Sequence, residues 1–300
     1  MRCSHLNRAL ANMRASLNMS KKKNKEQHYV SACHLYNFTN EQQRKTARQF
    51  KKCPQKRDVV INYYDIFEQK HSCRSIKNIA TESYLFSYLQ DDGSYNHDVD
   101  NALESLETKV AKAFDYLNEL YFEIIDQKAS SIEVIDEHID IILEFVSWQW
   151  KRDPLLVNRL VEDISDRLNT SLGEAKAHAL DVLAKVEKND DRRVIDWLKK
   201  RNIMFIMLGN DDEFILPDRP FVRFNPNEGE YDGLAINGTE IYFPISPKIM
   251  LTLLHDTPNK FIHMVFDSSL TLELNQCLIS KAEKYIFYSD RRSFEQSWKC

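Results

Sequence analysis

From residue 99 to about 126, apolar side chains recur at Leu103, Leu106, Val110, Ala113, Phe114, Leu117, Leu120, Tyr121 and Ile124, with charges on the opposite face. That spacing predicts a long amphipathic helix. A second helix is expected to start at Ser130 or Ser131 as cap, with Glu133 and Asp136 near its positive end. It runs through Ile139, Ile142, Leu143 and Val146 to Trp150, and Pro154 marks its end or a kink. Further helices are predicted over 155–168, 172–187, and from Asp190 or Asp191 to about residue 200.

The pattern differs on either side of this helical middle. Residues 27–38, QHYVSACHLYNF, form a compact apolar and aromatic patch, followed by a polar loop. Residues 59–67, VVINYYDIF, are β-branched and aromatic and predict a strand, whereas 74–86 fits strand or helix. After Arg201 come short β-type runs, IMFIML, EFIL, FVRF, TEIYF and IMLTLL, and Asn237-Gly238 predicts a hairpin between 234–236 and 239–243. A last helix is expected over 270–285, ending in the aromatic run YIFY. Helices in the middle and strands toward both ends predict an α+β fold. The expected architecture is a central long-helix bundle with a small, mainly antiparallel sheet drawn from N-terminal and C-terminal strands. Residues 1–26 are expected to be a disordered basic tail, because they hold too little apolar surface to offset ordering. Residues 27–300 are expected to form one domain, with a helical middle at 97–200 and a β-rich part at 201–290.

Charge is divided unevenly. Residues 1–57 hold 14 basic and two acidic side chains, and the rest of the chain 27 and 43. A basic arm (Lys21–Lys25 in the run KKKNK, then Arg44, Lys45, Arg48, Lys51, Lys52, Lys56 and Arg57) could recruit nucleic acid or a nucleotide through phosphate contacts, and is more often simply solvated. With six glycines in 300 residues and no GxGxxG, Walker or G-x-S-x-G motif, a phosphate-cradling loop is close to excluded. The six cysteines show no zinc-site spacing and read as free thiols of a reducing compartment. The scattered His255, His263, Asp256 and Asp267 have no ligand spacing, so no metal site is expected there, and the sequence leaves any cofactor open. No apolar run reaches the roughly 18–20 residues of a membrane span, so a cytoplasmic location is expected. The first residues lack a signal-peptide core, and Met19 competes with Met1 as the start.

Several segments, in order, resemble the landmarks of the DUF4238 family, a family of unassigned function. QHYVSACHLYNF resembles its HYVPxxxLxxF opening, and ESLETKVAKAF its signature Glu four before Ala. FVSWQWKRDP resembles FxxxQxxRxP, EFILPDRPFV resembles FITSDNPV, and YFPISPKIML resembles FPLSP. LNQCLISKAEKYIFYS resembles the final Asn-bearing helix, so the likeness spans roughly residues 26–289. Ser31 stands where the family has proline, which is expected to loosen the opening turn. Pro217 replaces the serine before the late aspartate. The resemblance implies no activity.

Chemistry is expected from a few polar residues in these segments. His28 could exchange a proton near neutral pH, or hydrogen-bond the start of the fold. Glu107 lies beside an apolar helical stripe, where a carboxylate needs a cation, and Arg152 is the expected partner. Gln149 and Arg152, flanked by Trp148, suit a phosphate or a stacked base, or else an ordinary helix end. Asp218, in a tight turn after a strand, suits a general base or an Asx turn equally. The leading expectation is a hydrolase acting on nucleic acid or a nucleotide. In it His28, Glu107 and Asp218 are catalytic, and Gln149, Arg152 and Trp148 bind substrate. A nuclease-like toxin or anti-phage role rests on analogy alone. The rival is a non-catalytic binding or sensing module whose polar cluster is structural.

Overall fold

The computed structural model describes residues 25–50, 58–90, 92–126, 134–189, 191–225, 238–255 and 259–298, without the side chains of 46–50 and 184–193. The chain opens with strand β1 (Glu26–His28) and helices α1 (Ala32–Asn37) and α2 (Glu41–Phe50). Strands β2 (Val60–Asp65), β3 (Lys70–Ser75) and β4 (Thr81–Ser83) follow, then the short pair β5 (Tyr88–Leu89) and β6 (Tyr95–Asn96). The helical middle is α3 (Asp98–Ile125), α4 (Asp136–Lys151), α5 (Pro154–Leu168), α6 (Leu172–Asn189) and α7 (Asp191–Lys199). Beyond it lie β7 (Asn202–Leu208), β8 (Leu216–Pro217), β9 (Val222–Phe224), β10 (Glu240–Ser246), β11 (Ile249–Leu254) and β12 (Lys260–Val265). Helix α8 (Ser268–Ser280), strand β13 (Tyr285–Tyr288) and helix α9 (Arg291–Trp298) end the described chain. The fold is α+β.

Two sheets organise these elements. One has the order β12-β7-β11-β10-β9, antiparallel except where β12 runs parallel to β7. The other, β3-β2-β13-β8, is antiparallel and joins N-terminal to C-terminal strands as expected. Period-two alternation explains why β7 reads as one continuous apolar run. Its Ile203, Phe205 and Met207 meet the helical layer of α3 and α4, while Ile206 and Leu208 meet α8 and β13 on the far side. Strand β13 is likewise covered on both faces, with Ile286 and Tyr288 on one and Tyr285 and Phe287 on the other.

That double burial corrects the last expected helix. It stops at Ser280, and YIFY is a central strand, because four consecutive bulky residues suit two covered sheet faces better than one helical stripe. Residues 41–50, expected as loop, form α2. The helix expected from Ser130 or Ser131 begins at Asp136 with Ile135 as its N-cap; both serines lie outside the described residues. Glu26, assigned to the tail, already pairs with Ser83 in β1, while residues 1–24 and the hairpin strand 234–236 are outside the description. Residues 74–86 resolve into the end of β3, a short 3-10 turn and β4. The run EFIL yields only the two-residue β8. Ser31 does not loosen its turn: its φ of −53° is one a proline would hold, and its carbonyl accepts the Leu35 N–H at 3.0 Å. No helix among the described residues is long and apolar enough to cross a membrane.

Candidate functional site

Folding brings several of the singled-out residues together, and it places them inside. Arg152, closing α4, is 3% exposed and donates Nη2 to Glu107 Oε1 on α3 at 2.6 Å. A guanidinium taken out of water needs such a countercharge. Its Nε and Nη1 have no hydrogen-bond partner among the described residues, and its guanidinium carbon lies 5.8 Å from the Phe86 ring centre. Gln149, on the preceding turn, donates Nε2 to the Tyr29 carbonyl, and its Oε1 is unpartnered. Trp148 is buried in the main core with the Lys151 ammonium 4.9 Å from its ring centre. His28, half-buried in β1, donates Nε2 to the Ile76 carbonyl at 2.8 Å.

Asp218 clamps one strand to another. Its N–H donates to the Tyr285 carbonyl, and its carboxylate accepts the N–H groups of Glu283 and Lys284 at 2.9 Å and Tyr285 at 3.1 Å. Burial pushes its carboxyl above the ordinary range, against the pull of those three donors. The Tyr29 phenol is pushed up as well, by burial first and then by Asp218. Tyr29, Gln149 and Asp218 share a recess with Arg219, which pairs with Asp153 at 3.2 Å and Glu283 at 3.3 Å. Its free space is about 20 Å³, on the order of one water. A water-open cleft was expected here; the residues form a packed polar network with Arg152, Gln149 and Asp218 each 5% exposed or less.

A substrate-sized opening lies elsewhere, where α1, α2 and α3 meet the turn between β10 and β11. It holds about 550 Å³, within the usual range of ligand pockets. Two side chains of the opening segment shape it. His34 Nε2 donates to the Pro244 carbonyl at 2.6 Å, and Asn37 Nδ2 to the Ile245 carbonyl at 3.3 Å. They hold the bulged end of β10, where the register shifts between Pro244 and Ser246. His34 is stacked on Phe243 and fully buried, which pushes its pKa down to about 4 and keeps the ring neutral. The bulge sets Ser246 in the cleft wall, 3% exposed, with no partner for its hydroxyl among the described residues.

Titratable groups line the same cleft. Glu213 is raised by burial, with Lys248 and the Asp290 N–H opposing. Lys248 is lowered by burial, with Glu213 opposing, and its ammonium donates to the carbonyls of Asn210 at 3.0 Å and Asp212 at 2.6 Å. The Tyr121 hydroxyl is raised by burial and then by Glu213, and donates to the Leu208 carbonyl. Helix α3 adds Asp115 and Glu119, and α2 adds Arg44. The Arg44 guanidinium is engaged with Thr39 Oγ1 and the carbonyls of Tyr36 and Asn37. Perturbed groups converging on a substrate-sized concavity mark a functional-site candidate. Ser246, Lys248 and Glu213 lie in the segments FPISPK and EFIL, whose sequence pattern does not mark them as site residues. A carboxylate directly preceding an apolar strand was the available signal. Among the described residues no three His, Cys, Asp or Glu side chains gather as a metal site.

Both networks fall inside a stretch that matches one family model. The match, to a protein family of unknown function (DUF4238), covers residues 26–292. No curated protein and no solved structure matches the chain. The chain belongs to the DUF4238 family.

Proposed function

We propose that this chain is a binding module that takes a small polar cation in the cleft beside Ser246, and that the network of Glu107, Arg152 and Asp218 frames the fold. The supporting observation is the buried, unpartnered hydroxyl of Ser246, a residue lining a cleft with four carboxylates, Glu41, Asp115, Glu119 and Glu213. A hydroxyl taken out of water without a partner costs about 1–3 kcal/mol, which a ligand donor would recover. Arg44 and Lys248 spend donors on backbone carbonyls and are outnumbered by the carboxylates of the lining, which favours an ammonium over a phosphate. Isothermal titration with spermidine and with AMP tests this. Spermidine is expected to bind, and Ser246→Ala and Glu213→Gln to weaken it. Binding of AMP in its place would overturn the reading.

One observation favours the rival, a nucleic-acid- or nucleotide-directed hydrolase. Glu213 is raised and Lys248 lowered in the same open cleft, an acid and a base pushed toward neutral pH from opposite sides. Incubation with RNA, single- and double-stranded DNA and nucleotides, with and without Mg²⁺, separates the two. Hydrolysis lost in Glu213→Gln would establish the enzyme, nuclease-like in a toxin or anti-phage setting. The binding reading expects none.

A further inference from the structure

Helices α8 and α9 lie side by side, and each turns a mostly polar face to one cavity. On α8, Ser268, Thr271, Leu272 and Asn275 share one face; on α9, Ser293, Gln296 and Ser297 do. The apolar side chains Leu274, Leu278 and Phe294 go instead to the core under the sheet. Between these faces is a cavity of about 370 Å³, within the usual range of ligand pockets.

Two residues of its wall carry anomalous hydroxyls. Thr271 and Ser293 are 3% and 5% exposed, and neither hydroxyl has a partner among the described residues. A helical Ser or Thr ordinarily escapes this by bonding a carbonyl one turn back, as Ser297 does with the Ser293 carbonyl at 2.9 Å. The back wall is already saturated. Asn275 accepts the Ile215 N–H and donates to the Glu213 carbonyl and Ser297 Oγ. No lysine or arginine lines the cavity, and Asp212 and Glu213 stand beside it.

We propose that this cavity is a second binding site, for a neutral polyol of monosaccharide size held by the Thr271 and Ser293 hydroxyls. The ligand must both donate and accept, since hydroxyls do both. An anion meets two carboxylates in the wall and no lining lysine or arginine. An apolar ligand seals both hydroxyls away unpaired. A polyol satisfies the walls and donates to Asp212 or Glu213.

The test is saturation-transfer NMR on the full chain with D-glucose and myo-inositol over the millimolar range, with spermidine and AMP alongside. At least one polyol should bind, and Thr271→Val and Ser293→Ala should each weaken it about tenfold, the worth of one ligand hydrogen bond. Each substitution removes an unpartnered buried hydroxyl, so the melting temperature of the unliganded protein should hold or rise. Ser246→Ala, in the other cleft, should leave polyol binding unchanged, which separates this site from the first. The proposal is overturned if neither polyol binds the wild-type chain, if both variants bind as well as wild type, or if only spermidine or AMP is taken up and lost in the variants. A melting temperature lowered in both variants also overturns it, because the hydroxyls would then be serving the fold.

Discussion

Replacing Asp218 separates a structural carboxylate from a chemical one. In Asp218→Ala, three backbone N–H groups at the start of β13 lose their acceptor, and the seam between β8 and β13 is too tight for water to replace it at no cost. A hydrogen bond to a charged group is worth about 1.5–3 kcal/mol net, while removing the charge recovers part of its burial penalty. The expected loss is about 4 kcal/mol. Asp218→Asn, with its oxygen toward Lys284 and Tyr285, keeps two weakened bonds and sets an amide against the Glu283 N–H. It should lose about 2 kcal/mol. Urea unfolding followed by circular dichroism reads both, and midpoints should shift at unchanged slope. Losses below about 0.5 kcal/mol in both variants would refute the reasoning, since surface changes away from such features fall in that range.

Three further outcomes follow from the same geometry. Glu107→Gln leaves the buried Arg152 guanidinium without its countercharge and should cost about 3 kcal/mol in urea unfolding, whereas an exposed pair such as Lys45–Glu41 should cost nearly nothing. Buried neutral His34 has a folded pKa of about 4, below its unfolded value near 6.5, so the unfolded chain binds the extra proton in that window. Stability should therefore fall as pH drops from about 6.5 to 4, by at most about 3 kcal/mol from this group, and His34→Gln should flatten that slope. Glu213 has a carboxyl raised above 4.5, so it loses its charge at a higher pH than an ordinary glutamate. Spermidine affinity should weaken as pH falls through that raised value, and Glu213→Gln should remove the dependence.

The legible parts of the fold were those set by local period. Helix α3 and the runs of β7, β10 and β11 follow from spacing that burial enforces along a single element. Helix α2 was missed because EQQRKTARQF has too few apolar residues for a stripe to stand out. YIFY was missed because a strand covered on both faces loses its alternation and looks like the continuation of a helix. The site divides the same way. Glu107 meeting Arg152 could be inferred, since a carboxylate beside an apolar stripe demands a cation. That Asp218 is spent on three backbone N–H groups could not, because the donors come from a segment more than 60 residues away. The cleft was invisible for the same reason. Ser246, Glu213, Arg44 and Asp115 come from four separate segments, and an unpartnered hydroxyl is a property of packing.

The most direct measurement is amide hydrogen exchange on the full chain with and without spermidine. Added protection is expected in 36–44, 115–122 and 244–248, with the segments around Gln149, Arg152 and Asp218 unchanged. Protection confined to 149–153 and 217–219 would contradict the account, because the ligand would then be seated in the network assigned to holding the fold.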